Sequence, residues 1–562
     1  MAGSIFSIFD IGVRALYAQQ TALSVTGHNI ANANTENYVR QRAELREAES
    51  INSSPGQLGM GVKVEEIIRI KDEFTDFQLR KQLQTLGYFD TKNGILQQLE
   101  NIFNEPSDNG LNSVISAFYD SLQDLSNHPE TYSARVMVKE QAEALVGVFN
   151  STIANLSELK ANINENINFK VAEINALTKE IATLNDQIVK AEVGGLQNAN
   201  DLRNRRDALV RDLSNMGDVF VREGEDNLLY VQMGDQILVS GVYPVELRTV
   251  NTADNTFEIV TKNGNRLNIN NGSLKAMFEM RDDVIQKYAD DLDKLARTII
   301  KELNNAHVGG IGLTQYNNIT SENSAKSVTV PLVNAGLDFP VNGGQFSLSL
   351  YDNNGNLKSE TAVTVNPFAD SLNDIAARIN SIAGFSASVT SDNKLSIATL
   401  SSSDKFSFVA DSDRSTDTSN FLMAMGLNTF FKGKDAATIA VADTIAGDVN
   451  KIATGKTLAP GDNSNVMQLI ATRNLASTQD ATFEDFYSSL IGNLGVERQV
   501  NIQRMGTQEL IVNTLRERQQ SESGVSFDDE AVHLLRYQRG YQAAAKFIQV
   551  VDGLITTLIQ ML

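Results

Sequence analysis

"SGVSFDDEAVHLLRYQRGYQAAAKFIQVVDGLITTLIQML" occupies residues 523–562. Within it Leu534, Tyr537, Tyr541, Ala544, Ile548, Val551, Ile555, Leu558 and Leu562 follow in steps of three and four. That spacing lines side chains along one stripe of an α-helix. Gly540, Phe547, Leu554 and Met561 widen the stripe towards a second face, and Ser526 with Asp529 supplies a capping-box-like start. At 1.5 Å per residue the helix is about 50 Å long. A helix apolar on two adjacent faces needs more than one neighbour to cover it. Each large side chain that finds cover contributes ~1.5–3 kcal/mol.

The first thirty residues repeat this design. Ile8, Ile11, Ala15, Ala18, Ala22 and Val25 form one seam, and Ile5, Phe9, Leu16, Leu23 and Ile30 form a second. A third long helix is predicted over 132–192, through Leu145, Phe149, Leu156, Ile163, Ile167, Ile174, Leu177, Ile181, Leu184 and Ile188. The four-residue steps from Leu159 to Ile163 to Ile167 break its heptad and predict a local change of supercoil. Further helices fit 273–305 and, loosely, 464–520.

Between the helices the texture changes. Segments 219–241 and 256–269 read as strands and hairpins, with Asn263-Gly264 as a turn. Residues 308–440 are rich in Ser, Thr, Asn, Asp and Gly. There "QFSLSLYDNNGNLKSETAVTV" alternates on both sides of an Asn-Gly turn, followed by a short helix (Leu372, Ile375, Ile379, Ile382) and strands at 385–390 and 394–399. The expected fold is mainly α with β-rich inserts: paired terminal amphipathic helices, an elongated helical bundle and an outer α+β part. The expected segments are terminal helices at 1–35 and 528–562, a helical bundle from 36–217, 273–307 and 441–527, a hairpin-rich segment at 218–272, and an α+β insert at 308–440.

Composition narrows the partners. The formal net charge is −21, which disfavours nucleic acid and anionic membrane surfaces, both of which select clustered Lys and Arg. There is no cysteine, so disulfides, thiolate nucleophiles and sulfur metal sites are excluded. The first twenty residues lack a basic leader and carry Asp10 and Arg14, so no conventional secretory signal is expected. No uncharged apolar run reaches membrane-spanning length, since even the final stretch carries Asp552.

Chemistry-bearing motifs fail one by one. "GQLGMGVKV" (56–64) has Val64 where a dinucleotide fingerprint needs its third glycine, so it reads as a turn before a strand. "DNNGN" (352–356) lacks the later acidic ligands of a calcium loop and reads as a hairpin turn. His28, His128, His307 and His533 show no metal spacing and read as helix-end or surface residues. Asp290, Asp291 and Asp293 read as a solvated helix face. No enzyme, metal or cofactor is expected.

"NIANANTENYVRQ" (29–41) carries a resemblance. It is similar to the signature of the flagellar rod, hook and hook-associated axial protein family, Asn-Ile-Ala-Asn-x-Asn-Thr-x-Gly-Tyr-x-Arg-Gln. Asn29, Ile30, Ala31, Asn32, Asn34, Thr35, Tyr38, Arg40 and Gln41 match, and Asn37 replaces the glycine. Asn is the side chain that best tolerates positive φ, so the turn is expected to persist. Segment 59–80 resembles the family's Gly-x-Gly-Val and Asp-x-Phe stretches. Segments 102–130, 198–214 and 523–562 narrow the resemblance to the branch found between hook and filament.

The resemblance implies a structural subunit that polymerises at that junction, its terminal helices forming an inner tube and ordering on assembly. It implies self-association, contacts with the hook protein and with a second hook-associated junction protein, and export to the extracellular flagellum without a cleavable signal. It also implies an export chaperone, for which Phe547, Ile548, Val551, Leu554, Ile555 and Leu558 are the candidate grip. The alternatives are another axial protein of hook-subunit type and a soluble coiled-coil scaffold or sensor.

Overall fold

The computed structural model describes residues 2–53, 56–193, 197–224, 227–253, 256–409 and 416–561, without the side chains of 2–5, 53 and 558. The chain divides into two compact units. One comprises Met1–Ile95, Asn162–Met280 and Gln499–Leu562, and the other Leu96–Ala161 and Arg281–Arg498. The architecture is mainly helical with small antiparallel sheets.

In the first unit the N-terminal helix (Ala2–Asn32) leads into a two-stranded ribbon of Gln41–Glu47 paired with Val62–Arg69. Gly61, at φ +85°, makes the turn into the second of these strands, as "GQLGMGVKV" predicts. A four-stranded sheet takes in Val219–Glu223, Leu229–Met233 and Gln236–Ser240, and Leu247–Asn251 pairs with Phe257–Thr261. Gly264, at φ +85°, closes the predicted Asn-Gly turn. The C-terminal helix runs Phe527–Met561 and starts where predicted, with the Asp529 amide donating to Ser526 Oγ at 3.3 Å.

The second unit is organised by its aromatic side chains. Phe118 lies on helix Leu111–Asn127 and is buried against Phe430 and Phe431, at centroid separations of 5.7 and 6.0 Å. Its α+β part holds the predicted hairpin, Gly344–Tyr351 with Leu357–Val365, plus strands Phe385–Val389 and Leu395–Thr399. Helix Leu372–Asn380 begins on a capping box of Ser371 and Asp374. At the hairpin tip the Asp352 carboxylate accepts from the amides of Asn354 and Asn356, so "DNNGN" folds as a turn around its own aspartate.

The predicted helices differ from the observed ones where backbone geometry intervenes. The long helix spans Tyr132–Glu192. The continuous helix expected at 273–305 is instead Gly272–Glu279, a π turn Met280–Val284, and Ile285–Val308. Met280 and Ile285 are both fully buried, five residues apart. On an α-helix that step would swing the apolar stripe well off its face, and the wider π turn absorbs the extra residue. Likewise 464–520 is broken into Val466–Ala471, a 3₁₀ turn and Phe483–Ser523, with Gln479 and Asp480 at positive φ between them.

His307 ends its helix as predicted but is fully buried, not at the surface. Its Nε2 accepts from the Ala453 amide at 2.9 Å, so Nδ1 is the protonated nitrogen that donates to Asn428 O at 2.7 Å. Burial lowers its pKa to about 4. The acidic run is only partly solvated: Asp290 is exposed, whereas Asp293 is half-buried and accepts from the Ala436 amide.

Candidate assembly interface

The Asn-rich motif builds a polar joint between the N-terminal helix and the ribbon. Asn29 is buried, and its amide group substitutes for a strand backbone. Asn29 Nδ2 donates to Gln41 O at 2.8 Å, and Asn29 Oδ1 accepts from Gln41 N at 3.0 Å. Tyr38 Oη donates to the same Asn29 Oδ1 at 2.8 Å and lies 3.0 Å from His28 Nδ1. Burial, then the charges of Asp201 and Glu530, push the Tyr38 hydroxyl well above its ordinary pKa.

The rest of the motif shapes the turn. Asn32 bonds the His28 carbonyl, and Thr35 bonds Asn32 Oδ1. Asn37 stands at φ +63°, where the resemblance places glycine, and Arg211 donates to its Oδ1 at 2.8 Å. Arg40 reaches Glu530 at 2.7 Å, and Gln41 reaches Asp201 at 2.9 Å. Ile30 is half-buried, while Ala31 and Asn34 are exposed.

Beneath the joint lies an ionic cluster that sequence reasoning missed. Asp76 is fully buried among Lys71, Arg80 and Arg211. Asp207 lies 2.9 Å from both Arg69 and Lys71. Burial alone would raise the Asp207 pKa, but Lys71 and Arg69 outweigh it and hold the carboxyl well below its ordinary value. These partners are scattered along the sequence, so no local pattern announces them.

The terminal helices pack on each other. Gly12 abuts Phe547 and Ile548, while Gly540 abuts Gln19, so the pair runs antiparallel. From the N-terminal seam Ala18, Ala22 and Val25 are buried, and Ile11 and Ala15 half-buried. Ile8 remains 37% exposed. From the C-terminal seam Ala544 and Val551 are buried, and Leu534, Tyr537, Tyr541, Ile548 and Ile555 half-buried. The side chains of Ile5 and Leu558, and all of Leu562, lie outside the described residues. Ala22, Val25 and Ala43 form a small core with Tyr537 packed against it.

In the predicted second N-terminal seam Phe9, Leu16, Leu23 and Ile30 are half-buried, while other apolar side chains of the two helices stay open. Val532, Phe547, Val550, Leu554 and Met561 are 42–80% exposed along one side of the C-terminal helix. Phe6 and Tyr17 are 60% and 64% exposed on the N-terminal helix. The candidate chaperone set is thereby divided: Ile548, Val551 and Ile555 are on the covered side, Phe547 and Leu554 on the open one. The helical region ending at Met561 also contains an 18-residue window apolar enough, by length and composition, to cross a bilayer, although charged residues such as Asp552 interrupt its apolar run. Its apolar surface is what the open face and the α-helical seam together require.

The two terminal helices, with apolar side chains beyond each other's reach, lie in the segments that match flagellar axial families. Residues 9–38 match the family described as flagella basal body rod protein, and 519–561 match the C-terminal family of the basal body rod FlgEFG proteins. Residues 96–320 match the helical domain of flagellar hook-associated protein FlgK. The flagellar hook-associated protein 1 of Bacillus subtilis (strain 168) is 28% identical, with 99% of this chain and 98% of the relative covered. That of Salmonella typhimurium (strain LT2) is also 28% identical, over 98% of this chain and 99% of the relative. The flagellar hook junction protein FlgK of Burkholderia pseudomallei has a similar fold, with a TM-score of 0.53 and 15% identity over 80% of this chain and all of that one. Over nearly its whole length the chain is similar to flagellar hook-associated protein 1, and it is a structural component of the bacterial flagellum.

Proposed function

We propose that this chain is the subunit that joins hook to filament. One observation carries the reading: the terminal helices cover each other with one apolar face, yet leave Phe6 and Tyr17 on one and Val532, Phe547, Val550, Leu554 and Met561 on the other exposed. Neighbouring subunits are the natural cover, because an apolar stripe repeated along a filament axis is buried by a head-to-tail contact that does not close on itself. The terminal helices, near 1–35 and 528–562, then form the inner core. The bundle around 36–217, 273–307 and 441–527 surrounds it, and 218–272 and 308–440 carry the outer β-rich parts.

The partners follow from that position: copies of the same chain, the hook protein on one side, and a second hook-associated protein on the other. Export runs through the flagellar secretion channel without a cleavable signal. A cytoplasmic chaperone covers Phe547, Leu554 and the rest of the C-terminal seam before export, while the N-terminal helix is not yet packed there.

The test is deletion of the gene, with electron microscopy of the cells and assay of flagellin in the medium. Bare hooks and shed flagellin are expected, rescued by the intact gene and not by one lacking 534–562. Normal filaments on the deleted cells would overturn the reading.

A further inference from the structure

Two helices whose shared seam is made of repeated apolar residues can slide past each other. A seven-residue slip moves one helix about 10 Å along its axis and returns similar side chains to the same face. The apolar pattern of the C-terminal helix does not forbid this, since Tyr537, Ala544 and Val551 are themselves seven apart. Glu530, by contrast, has no equivalent one heptad away: Ser523 and Tyr537 stand there.

The Glu530 side chain is 2% exposed, and its Oε1 lies 2.7 Å from Arg40 Nε. Among the described residues this is the one ion pair, and the one side-chain hydrogen bond, tying the C-terminal helix to another element. Arg40 is held by its backbone on both sides. Its amide donates to Ser523 O at 2.9 Å, and its carbonyl accepts from Ile70 N at 2.8 Å. The next residue, Gln41, is clamped by Asn29. The guanidinium therefore projects from a fixed post, and the carboxylate must come to it. Glycines shape the same alignment, for a Cβ on Gly12 would fall 2.8 Å from Ile548 Cγ1.

We propose that the Arg40–Glu530 pair is a register key. It selects one alignment among the heptad-related pairings of the terminal helices, and so fixes where the open faces present Phe547, Val550 and Leu554 to the next subunit. A slipped alignment would put Tyr537 beside Arg40 and leave two charges without partners, a penalty that apolar contacts do not impose. Arg40 and Glu530 act as positioning residues; the binding energy of the seam comes from its apolar side chains. The inference rests on the assembly reading above.

The absence of cysteine makes the register directly measurable. Gln19→Cys with Gly540→Cys reports the alignment described here, and Thr26→Cys with Gly540→Cys reports a one-heptad slip. Both pairs are oxidised in flagella sheared from cells, and the cross-linked subunit is quantified on non-reducing gels. The first pair is expected to dominate. Arg40→Glu should lower the ratio of native to slipped cross-link by about tenfold or more. Glu530→Gln, which keeps shape and hydrogen-bonding capacity, should lower it less, and Arg40→Glu combined with Glu530→Arg should restore it. An unchanged ratio in both single variants would overturn the key, as would a swapped pair no better than Arg40→Glu alone. Failure of the assembly reading looks different: the parent subunit would be missing from the sheared flagella altogether.

Discussion

Phe118, Phe430 and Phe431 of the second unit lie with ring centroids 4.9–6.0 Å apart, each no more than 1% exposed. Phe6, Tyr17, Phe547 and Leu554 on the terminal helices are 42–64% exposed. The residue types are alike, and only their cover differs. Where one chain can surround an aromatic side chain, it does so from helices and β connections brought together from several parts of the sequence. The terminal helices have only each other and the ribbon, so one face of each is buried and the other waits. Apolar surface in the second unit is spent on folding; at the chain's ends it is reserved for association.

The largest expected contrast comes from substituting the two kinds of apolar side chain. Phe118→Ala should cost ~3–5 kcal/mol of stability and visibly lower the melting temperature of the purified chain. Val550→Ser with Leu554→Ser should move that melting by no more than ~0.5 kcal/mol per site, yet leave cells with bare hooks. A large loss of stability from the second pair would mean that those faces are already covered in the free chain.

Acid should separate the two regions as well. His307 is neutral in the folded chain because burial lowers its pKa from 6.5 to about 4. Unfolding frees it to take a proton, so its stabilising effect is complete above pH 6.5 and is lost as pH falls from 6.5 to about 4. The full loss is about 3 kcal/mol. Hydrogen exchange at pH 7 and pH 5 should show Ile285–Val308 weakening, and His307→Gln should remove much of that dependence. Equal weakening in the variant would assign the effect to other groups.

Within the polar joint, Asn29→Ala leaves both backbone groups of Gln41 without their partners and should cost ~1–3 kcal/mol in the first unit. Urea unfolding followed by exchange in strand Gln41–Glu47 measures it. Asn37→Gly should change least, within ~1 kcal/mol, because relief of the positive φ offsets the lost contact with Arg211. A large drop there would show that Arg211, not the backbone, holds the turn.

Much of this was legible in the sequence because it is local and periodic. The three- and four-residue steps of Leu534 to Ile555 marked the seam, and Asn354-Gly355 marked the hairpin in the α+β part of the second unit. The motif marked Asn29 and Arg40 as important without saying what they touch. Their roles depend on pairings such as Arg40 with Glu530 and Arg211 with Asp76, which join residues far apart in the chain. The π turn escaped for the opposite reason. A five-residue step between Met280 and Ile285 looks like noise until the backbone is seen to widen around it.

The central claim is that the terminal helices are completed by neighbours. Hydrogen–deuterium exchange of the free chain and of assembled flagella tests it most directly. Ala2–Asn32 and Phe527–Met561 should exchange faster in the free chain than once assembled, with Leu111–Asn127 protected in both. Equal protection of the terminal helices in the two states would contradict the account.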